Sequence, residues 1–398
     1  STTTSATRCV DCVRAHVMLS RRPPVLSYPS DLKMSLIALL LRAPSIGACT
    51  SDLECSLNGV CTSGDCVCDV PWTEDASAGG QCGTLKYAMG NQRAPQSAKN
   101  IYNNSDPRNT WNGPIMVEDG TFHMFNPIYN VGSLAGPTAI LHGTATTITG
   151  PWNWSHATLQ TLGGENPAGV TFVDPVTKKT VYSLWIKHTV LTAPSPNGPW
   201  TPVNDFVSPG NNVAPLYHDG AWYATSQPTS TVYTTPALAP GNRWVEFASI
   251  TPVALPASLQ YHVEDPFMWV DKRGNWHIVN HAYANSQYEN CGESYVSNHF
   301  FSPDGKNWSN IPGLQPYTHT VEYLDGTSHT FTTLERPNLH FDASGQLTHI
   351  NLAVDLIVGD EGCANRTKHA HGGHTPCDNC KWDDHAGTTV IPLDTTKR

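Results

Sequence analysis

The chain has 398 residues, so two or more domains are expected. Hydrophobic residues make up 39% of it and charged residues only 14%, while 31 glycines and 31 prolines favour short strands and turns over long helices. Its 12 Trp, 14 Tyr and 10 Phe exclude a disordered chain. The formal net charge of -10 argues against nucleic acid or an anionic membrane as a partner. No apolar run approaches the ~20 residues that span a bilayer.

The segment 1–48 differs from the rest and is expected to form a non-globular leader. Met34 begins a short apolar stretch that ends on small residues before Cys49, as in a secretory signal peptide, although Arg42 interrupts it. On this interpretation Met34 is the true start, and residues 1–33 are an over-extended reading or a pro-segment. The alternative is an ordinary disordered tail.

Six of the twelve cysteines fall between Cys49 and Cys82, with the spacing C-x5-C-x5-C-x4-C-x-C-x13-C. Sequence alone permits fifteen pairings of six cysteines. The segment 49–83 resembles an EGF-like domain, and the resemblance implies three bridges: Cys49 with Cys61, Cys55 with Cys66, and Cys68 with Cys82. The calcium signature of some EGF-like domains is absent. The predicted role is therefore that of a spacer or adhesive module without bound calcium.

This cysteine density is unusual for a reducing compartment and favours a secreted, extracellular protein. Four glycosylation sequons give modest support to a secretory route and to a glycoprotein; they lie at Asn103, Asn153, Asn307 and Asn365. The remaining segment, 361–398, is predicted to be a Cys/His-rich extension. Its cysteines and Cys291 are enough for two further disulfides, namely among Cys291, Cys363, Cys377 and Cys380. A zinc site built with neighbouring histidines is the less favoured alternative.

From about residue 100, two motifs recur in phase. A Pro-containing strand followed by an Asp/Gly-type turn starts near residues 112, 166, 212, 264 and 335. A turn followed by tryptophan closes four of these units, at Trp152, Trp200, Trp244 and Trp308. Such repeats, each with about four short strands, predict an all-β, five-bladed propeller over 100–360. The competing interpretation is a β-sandwich with chance similarity.

The innermost strand of every blade lines the axis of a propeller, so side chains at these strand starts are expected to converge on one funnel. The candidates there are Asn112, Glu165, Asn166, Asn212, Glu264, Asp265, Glu335 and Arg336. Because side chains alternate along a strand, only one of Glu264 and Asp265 is expected to face the axis. The fourth blade also carries His262, His277 and His281. A histidine in a strand is more often a structural core residue, and the alternative is that one of the three reaches the funnel floor.

Several acids in one funnel suit glycoside hydrolysis, which needs a protonated carboxyl group and a carboxylate. Three sequence boxes, Glu264–Trp269, Ser302–Trp308 and Glu335–Pro337, resemble glycoside hydrolase family 43 and its five-bladed relatives. That resemblance implies activity on arabinose- or xylose-containing polysaccharides, usually with inversion. It also implies an Asp base on the first blade, an Asp that tunes a pKa, and a Glu acid.

The chain departs from that pattern, because Asn112 and Asn212 cannot act as bases and the nearest first-blade acid is Asp106. The predicted catalytic residues are therefore Asp265, Glu335, Glu165 and Asp106. The predicted substrate contacts are Asn112, Asn166, Asn212, Glu264 and Arg336. The predicted function is a secreted glycan hydrolase that binds a neutral polysaccharide without a cofactor or metal. The alternative is a non-catalytic carbohydrate-binding or extracellular-matrix propeller.

Overall fold

The computed structural model describes residues 49–74, 81–88, 96–97, 109–129, 139–159, 166–239, 241, 243–251, 261–284, 296–331, 333–355 and 386–396. Within these ranges the regular elements are β-strands and one 3-10 turn, Asp52–Cys55. The all-β prediction is confirmed. No helix within these ranges is long and apolar enough to cross a membrane.

The N-terminal part is a small module stapled by disulfides. Its strands are β1 (Gly59–Thr62), β2 (Asp65–Cys68), β3 (Trp72–Thr73) and β4 (Thr84–Leu85), paired as β1 with β2 and β3 with β4. Three bridges join Cys49 to Cys61, Cys55 to Cys66, and Cys68 to Cys82, which confirms the predicted pairing. A segment this short buries little apolar area, so cross-links that restrict its unfolded state supply much of its stability. A two-residue strand, β5 (Gln96–Ser97), follows.

Five sheets form the propeller predicted from the repeats. Blade one contains β6 (Asn109–Thr110), β7 (Ile115–Glu118), β8 (Thr121–Tyr129), β9 (Ala139–Ala145) and β10 (Asn153–Leu159). Blade two contains β11 (Ala168–Val173), β12 (Thr180–Ile186), β13 (Thr189–Ala193) and β14 (Thr201–Pro202). Blade three contains β15 (Asn211–His218), β16 (Ala221–Gln227), β17 (Thr231–Thr235) and β18 (Val245–Ser249).

Blade four contains β19 (Tyr261–Val270), β20 (Trp276–Ala284), β21 (Ser297–Ser302) and β22 (Ser309–Asn310). A hairpin of β23 (Thr320–Glu322) and β24 (Ser328–Thr330) leads to blade five. That blade contains β25 (Thr333–Phe341), β26 (Leu347–Asp355) and β27 (Ala386–Pro392), and β5 is its outermost strand. Blade five therefore uses strands from outside the range 100–360 that was expected for the propeller.

The ring closes because both ends of the propeller segment enter blade five. β5 pairs with β27, so Ser97 lies opposite Gly387. The inner strands contact one another in sequence around the axis, from β7 through β11, β15 and β19 to β25. Contacts between β27 and β6 join blade five to blade one.

Tight turns between neighbouring strands shape the blades, and large aromatic side chains pack the blades against one another. Asp119-Gly120 connects β7 to β8 with φ angles of 47° and 77°, the left-handed pair that a tight hairpin turn requires. Tryptophans then fill the spaces between blades, because a blade cannot cover its own faces. Trp185 of blade two lies 5.5 Å from Trp222 of blade three, measured between ring centroids. Trp276 of blade four contacts Tyr223 of blade three at 4.8 Å.

Candidate active site on the propeller axis

A repeated β-bulge shapes the start of three inner strands. The pairing register shifts between Asn211 and Ala214, between Glu264 and Phe267, and between Glu335 and Asn338. In each case two residues lie opposite one residue of the neighbouring strand. The first residue of each pair has a left-handed backbone, with φ of 47° at Asn212, 50° at Asp265 and 52° at Arg336. Proline follows Asp265 and Arg336, at a position where a bulge tolerates the missing N–H donor.

The bulge explains why Glu264 and Asp265 both reach the axis. Regular alternation would direct neighbouring side chains to opposite faces of the sheet. A bulge re-aims one of them, so the expectation that only one of these acids faces the funnel is wrong. The same device turns Glu335 and Arg336 towards a shared region.

Four side chains from blades four and five meet there: Glu264, Asp265, His281 and Glu335. One potential ligand atom from each lies within 4.8 Å of those of the other three. His281 lies opposite Glu264 on β20, and its Nδ1 is 3.4 Å from a Glu264 carboxylate oxygen. Asp265, His281 and Glu335 are buried, whereas Glu264 is partly exposed. We call this set the axial cluster.

Arg336 places a cation beside the axial cluster. Its Nη1 lies 3.7 Å from Oδ1 of Asp265, and only 6% of the residue is exposed. Among the described residues, Nε and Nη1 of Arg336 make no hydrogen bond, while Nη2 approaches the carbonyl oxygen of Pro167 at 3.5 Å. Buried guanidinium donors in this state are available to oxygen atoms of a ligand.

A chain of amides connects blades two and three to the cluster. Asn166 donates to Asn212 at 2.7 Å and to Asp265 at 3.2 Å. Asn212 in turn donates to Gln227 at 3.1 Å, and Gln227 donates to Glu264 at 2.7 Å. These bonds orient two of the three carboxyl groups, so the predicted residues Asn166 and Asn212 belong to the same site.

Asn112, a predicted substrate contact, is occupied by bonds within the protein. Its Nδ2 donates to the carbonyl oxygens of Arg336 at 2.7 Å and of Asn351 at 3.0 Å. Its Oδ1 accepts from Nδ2 of Asn351 at 2.6 Å. The side chain is fully buried, so it fixes the backbone of the bulge that carries Arg336.

The close charges shift two pKa values in ways that matter for chemistry. Burial raises the pKa of Asp265 to about 6 against the opposing attraction of Arg336, and the charge of Glu264 adds to the rise. Burial opposes protonation of His281. However, the charge of Glu335 and the hydrogen bond to Glu264 raise the pKa of His281 to about 9. The site therefore contains a carboxyl group that keeps its proton in mildly acidic solution beside a cationic imidazole.

The axial cluster also has the composition of a metal site, because three carboxylates and an imidazole are within reach of one another. The described residues instead balance much of the charge themselves. Arg336 and protonated His281 provide two positive charges for Glu264, Asp265 and Glu335. An imidazole that holds its proton offers no lone pair to a metal from that nitrogen.

A cavity opens along the axis next to the cluster. Its walls are the bulged strand starts of blades two to five, including Pro167, Val213, Pro266, Pro337 and Asn338. Asn212, Asp265 and Arg336 also line it. Polar side chains from blades three, four and five thus line the cavity, and the acids of the adjoining axial cluster come from blades four and five.

The remaining candidates lie elsewhere or are not described. His277 packs on Trp269 with ring centroids 4.8 Å apart and its Nε2 is 3.5 Å from Asp271, so its role is structural. Lying outside the described residues are Asp106, Glu165, Cys291, Cys363, Cys377, Cys380 and the side chain of His262.

One residue of this region, Gln227, was not found from sequence. Gln227 ends β16, and only the pairing of Asn211 with Gln227 brings it to the axis. A polar residue at the end of the second strand of a blade is the signal that could have identified Gln227.

No family model matches the chain, and no curated protein matches it. Among similar solved structures, a thermostable family-43 glycoside hydrolase is 10% identical, with coverage of 73% of this chain and 91% of that chain and a TM-score of 0.45. A family-43 β-xylosidase/α-arabinofuranosidase from a compost microbial metagenome, solved with xylotriose, is 10% identical over 76% of this chain and 98% of its own, with a TM-score of 0.44. An endo-arabinase from Bacteroides thetaiotaomicron VPI-5482 is 9% identical, with coverages of 79% and 99% and a TM-score of 0.42. The five-bladed fold of this chain is established by its own sheet topology.

Proposed function

We propose that this protein is a glycan hydrolase whose axial cluster cleaves a neutral polysaccharide. The observation that carries the proposal is the Asp265 carboxyl group, which is buried beside Arg336 and has a pKa raised to about 6. A carboxylic acid that keeps its proton in mildly acidic solution can protonate the oxygen of a glycosidic leaving group. The amides and the guanidinium around the cavity suit sugar hydroxyls.

The spacing of the carboxyl groups limits how the reaction can proceed. An inverting hydrolase keeps its two carboxyl groups roughly 6.5–9.5 Å apart to admit a water molecule. The acids of the axial cluster approach one another within 4.8 Å. A base for inversion would therefore come from outside the cluster, and the first-blade acid Asp106 remains our candidate.

Arabinosyl and xylosyl oligosaccharides are the first substrates to test, because the sequence boxes resemble enzymes of that specificity. The purified protein would be incubated with arabinosyl, xylosyl and galactosyl oligosaccharides, and reducing ends would be measured. We expect Asp265→Asn and Glu335→Gln each to lower turnover by about 10²-fold or more, the typical contribution of a positioned acid or base. The exposed Glu246 on β18 provides the control variant Glu246→Gln, which should retain activity.

A second candidate function is non-catalytic glycan binding. It is favoured by Asn112, which occupies the first-blade position with an amide that is fully used within the protein. If no oligosaccharide is cleaved but binding measured by calorimetry weakens in both axial variants, the binding function is supported. Hydrolysis retained by both variants would place the active site elsewhere.

We further infer that the protein is secreted and glycosylated and that its disulfide-rich module is EGF-like. Three disulfides suit an oxidising compartment. The sequon residues Asn153 and Asn307 are both exposed. Glycosidase treatment of protein from a secreting eukaryotic host should lower its apparent mass, and recovery of the protein only inside the cells would contradict the secretory route.

A further inference from the structure

The disulfide-rich module lies against blade four. Arg273, in the hairpin between β19 and β20, donates to the carbonyl oxygen of Gly59 in the module at 3.2 Å. Its Nη2 also pairs with the Asp69 carboxylate of the module at 2.6 Å. Trp72 of the module stacks on His299 of β21, with ring centroids 5.5 Å apart. Attachment of this kind differs from that of a spacer, which would need few contacts with its neighbour.

Two buried histidines next to Trp72 are joined by a hydrogen bond. Nδ1 of His277 lies 3.0 Å from Nε2 of His299, and both side chains are buried. Trp269 stacks on both rings, with centroids 4.8 Å from His277 and 6.0 Å from His299. His299 therefore contacts one tryptophan of the propeller and one of the module.

The two rings differ in their polar surroundings. Nε2 of His277 is 3.5 Å from a carboxylate oxygen of Asp271. Nδ1 of His299 has no hydrogen-bond partner among the described residues, and the charge that acts on this ring is that of His277. The ionisable groups of the module and of the hairpins packed around the pair are Asp69, Asp271, Lys272, Arg273 and Asp342.

The hydrogen bond limits how many protons the pair can hold. Only one of the two facing nitrogens can carry a hydrogen, because two N–H groups 3.0 Å apart would repel each other. One positive charge is tolerated, since Asp271 lies beside His277 and the faces of tryptophan rings attract cations. A second added proton breaks the bond and leaves two like charges in a buried place. Burial lowers the pKa of both rings, and the charge of His277 lowers that of His299 further.

We propose that the His277–His299 pair is an acid-sensitive latch, which holds the Trp72 face of the disulfide-rich module on blade four at neutral pH and releases it when both rings are protonated. Release lets water hydrate the two imidazolium rings. Below the usual histidine pKa of 6.5 the released form binds more protons than the attached form, so acid favours release. Release does not require hydrolysis, because no residue of the axial cluster takes part, so the latch goes beyond the proposed function.

Blade one contains a second imidazole pair with the same geometry. Nδ1 of His123 on β8 lies 2.9 Å from Nε2 of His142 on β9. In both blades the paired histidines are offset by two residues from direct strand partners. The His142 ring stacks on Phe125 of its own blade, with centroids 4.7 Å apart, where His299 has Trp72 of the module. The blade-one pair is therefore a matched control for the latch.

The first test replaces one ring of each pair. His299→Phe keeps a flat ring for Trp72 to stack on but removes the second titrating group, and His142→Phe makes the same change in blade one. The full chain is labelled with 5-fluorotryptophan, and the ¹⁹F signal that is absent from Trp72→Phe is assigned to Trp72. Spectra are recorded from about pH 7.5 to about pH 4.5, across the range in which histidine titrates.

In the wild type and in His142→Phe, we expect the Trp72 signal to move to a solvent-exposed position in acid. The ratio of released to attached module should rise by about 10-fold or more per pH unit below 6.5, one factor of 10 for each extra proton bound. In His299→Phe the signal should keep its neutral-pH position. A Trp72 signal that does not move in the acidified wild type, or that moves equally in His299→Phe, would overturn the latch.

The ion pair of Asp69 with Arg273 supplies the competing explanation. Burial raises the pKa of Asp69, so its protonation in acid would also weaken the attachment. Asp69→Asn removes this charge at every pH. We expect the variant to release Trp72 at a higher pH than the wild type. If the module of Asp69→Asn instead stays attached in acid, the ion pair is the pH-sensitive element and the histidine latch is wrong.

A second measurement uses the wild type alone and so does not depend on the folding of any variant. The ¹⁵N signals of labelled imidazole rings report the protonation of His277 and His299 directly. We expect the pair to take up its second proton in the same pH range in which the Trp72 signal moves. Uptake of both protons while Trp72 stays attached would contradict the latch, and so would release of Trp72 before either ring is charged.

Discussion

The inner strands of blades one and four occupy equivalent places in the ring but use them differently. In blade one the polar residue at the strand start is Asn112, which is fully buried. Both ends of its amide group form hydrogen bonds within the protein, with Arg336 and Asn351. In blade four the corresponding region carries Glu264 and Asp265, whose carboxyl groups lie close to other charged side chains, and Asp265 also lines the cavity. A repeat thus supplies equivalent backbone positions, and hydrogen-bond satisfaction decides which of them remain open to a ligand.

The same contrast appears in the histidines of a single strand. His277 and His281 both lie on β20, both buried. His277 stacks on Trp269 and His299 away from the axis, and burial lowers its pKa. His281 lies among three carboxyl groups, and they overcome burial to raise its pKa. Position along the blade therefore decides whether a buried imidazole is neutral or cationic.

The largest effect should follow from giving blade one the acid that blade four has. In Asn112→Asp, a carboxylate would replace an amide that donates to two carbonyl oxygens, so attraction becomes repulsion without solvent to relieve it. Burying an unpaired charge of this kind costs about 3 kcal/mol or more. Urea unfolding should show this loss of stability. Asp265→Asn should be neutral or stabilising, because it removes a desolvated acid.

The opposite result would contradict this difference between blades one and four. If Asn112→Asp keeps wild-type stability and gains hydrolytic activity, then the first-blade position is open to substrate. In that case position 112 would be the place of the catalytic base. The wild-type chain would lack that base because it has asparagine there, and no other segment would supply one.

Sequence was sufficient for the architecture because propeller blades repeat. The recurring starts near Asn112, Asn166, Asn212, Glu264 and Glu335 fall at inner strands of the five blades. The cysteine spacing resembles that of an EGF-like domain, and this resemblance implied the three bridges that the structure contains. In both cases a pattern within a short stretch of chain reports a local structure.

The site was less predictable, since it depends on local geometry that breaks the pattern. Alternation along β19 fails because Asp265 has a φ of 50° within a bulge. Gln227 reaches Glu264 only through the pairing of neighbouring strands and blades. The connection after blade four contacts a module more than 200 residues earlier in the chain, since the N–H of Leu85 donates to the carbonyl oxygen of Pro316. Sequence periodicity carries no information about such contacts.

The two histidines of β20 predict opposite dependences of stability on pH. The raised folded-state pKa of His281, about 9, stabilises the protein fully below the unfolded value of 6.5, and this stabilisation is lost as pH rises to 9. The lowered pKa of His277 has the reverse consequence, because its stabilisation is lost as pH falls below 6.5. Melting temperatures should therefore fall towards pH 9 in the wild type and fall less in His281→Gln.

His277→Gln provides the matched comparison. This variant should weaken the loss of stability below pH 6.5 and leave the decline towards pH 9 unchanged. If both variants flatten the same side of the melting curve, then His277 and His281 do not differ in charge as their surroundings indicate.

The smallest effect concerns the amides that orient the blade-four acids. Gln227→Met keeps the length of the side chain but removes the donor that holds Glu264 at 2.7 Å. A hydrogen bond to a charged group contributes about 1.5 kcal/mol, so turnover should fall by about 10-fold while the melting temperature changes little. Thr234→Val is the control, because it removes a 2.9 Å hydrogen bond to Trp222 within the same blade but away from the axis. Equal losses of turnover in both variants would mean that blade three acts through its general stability, whereas a loss confined to Gln227→Met would show that an amide from one blade orients a carboxylate of the next.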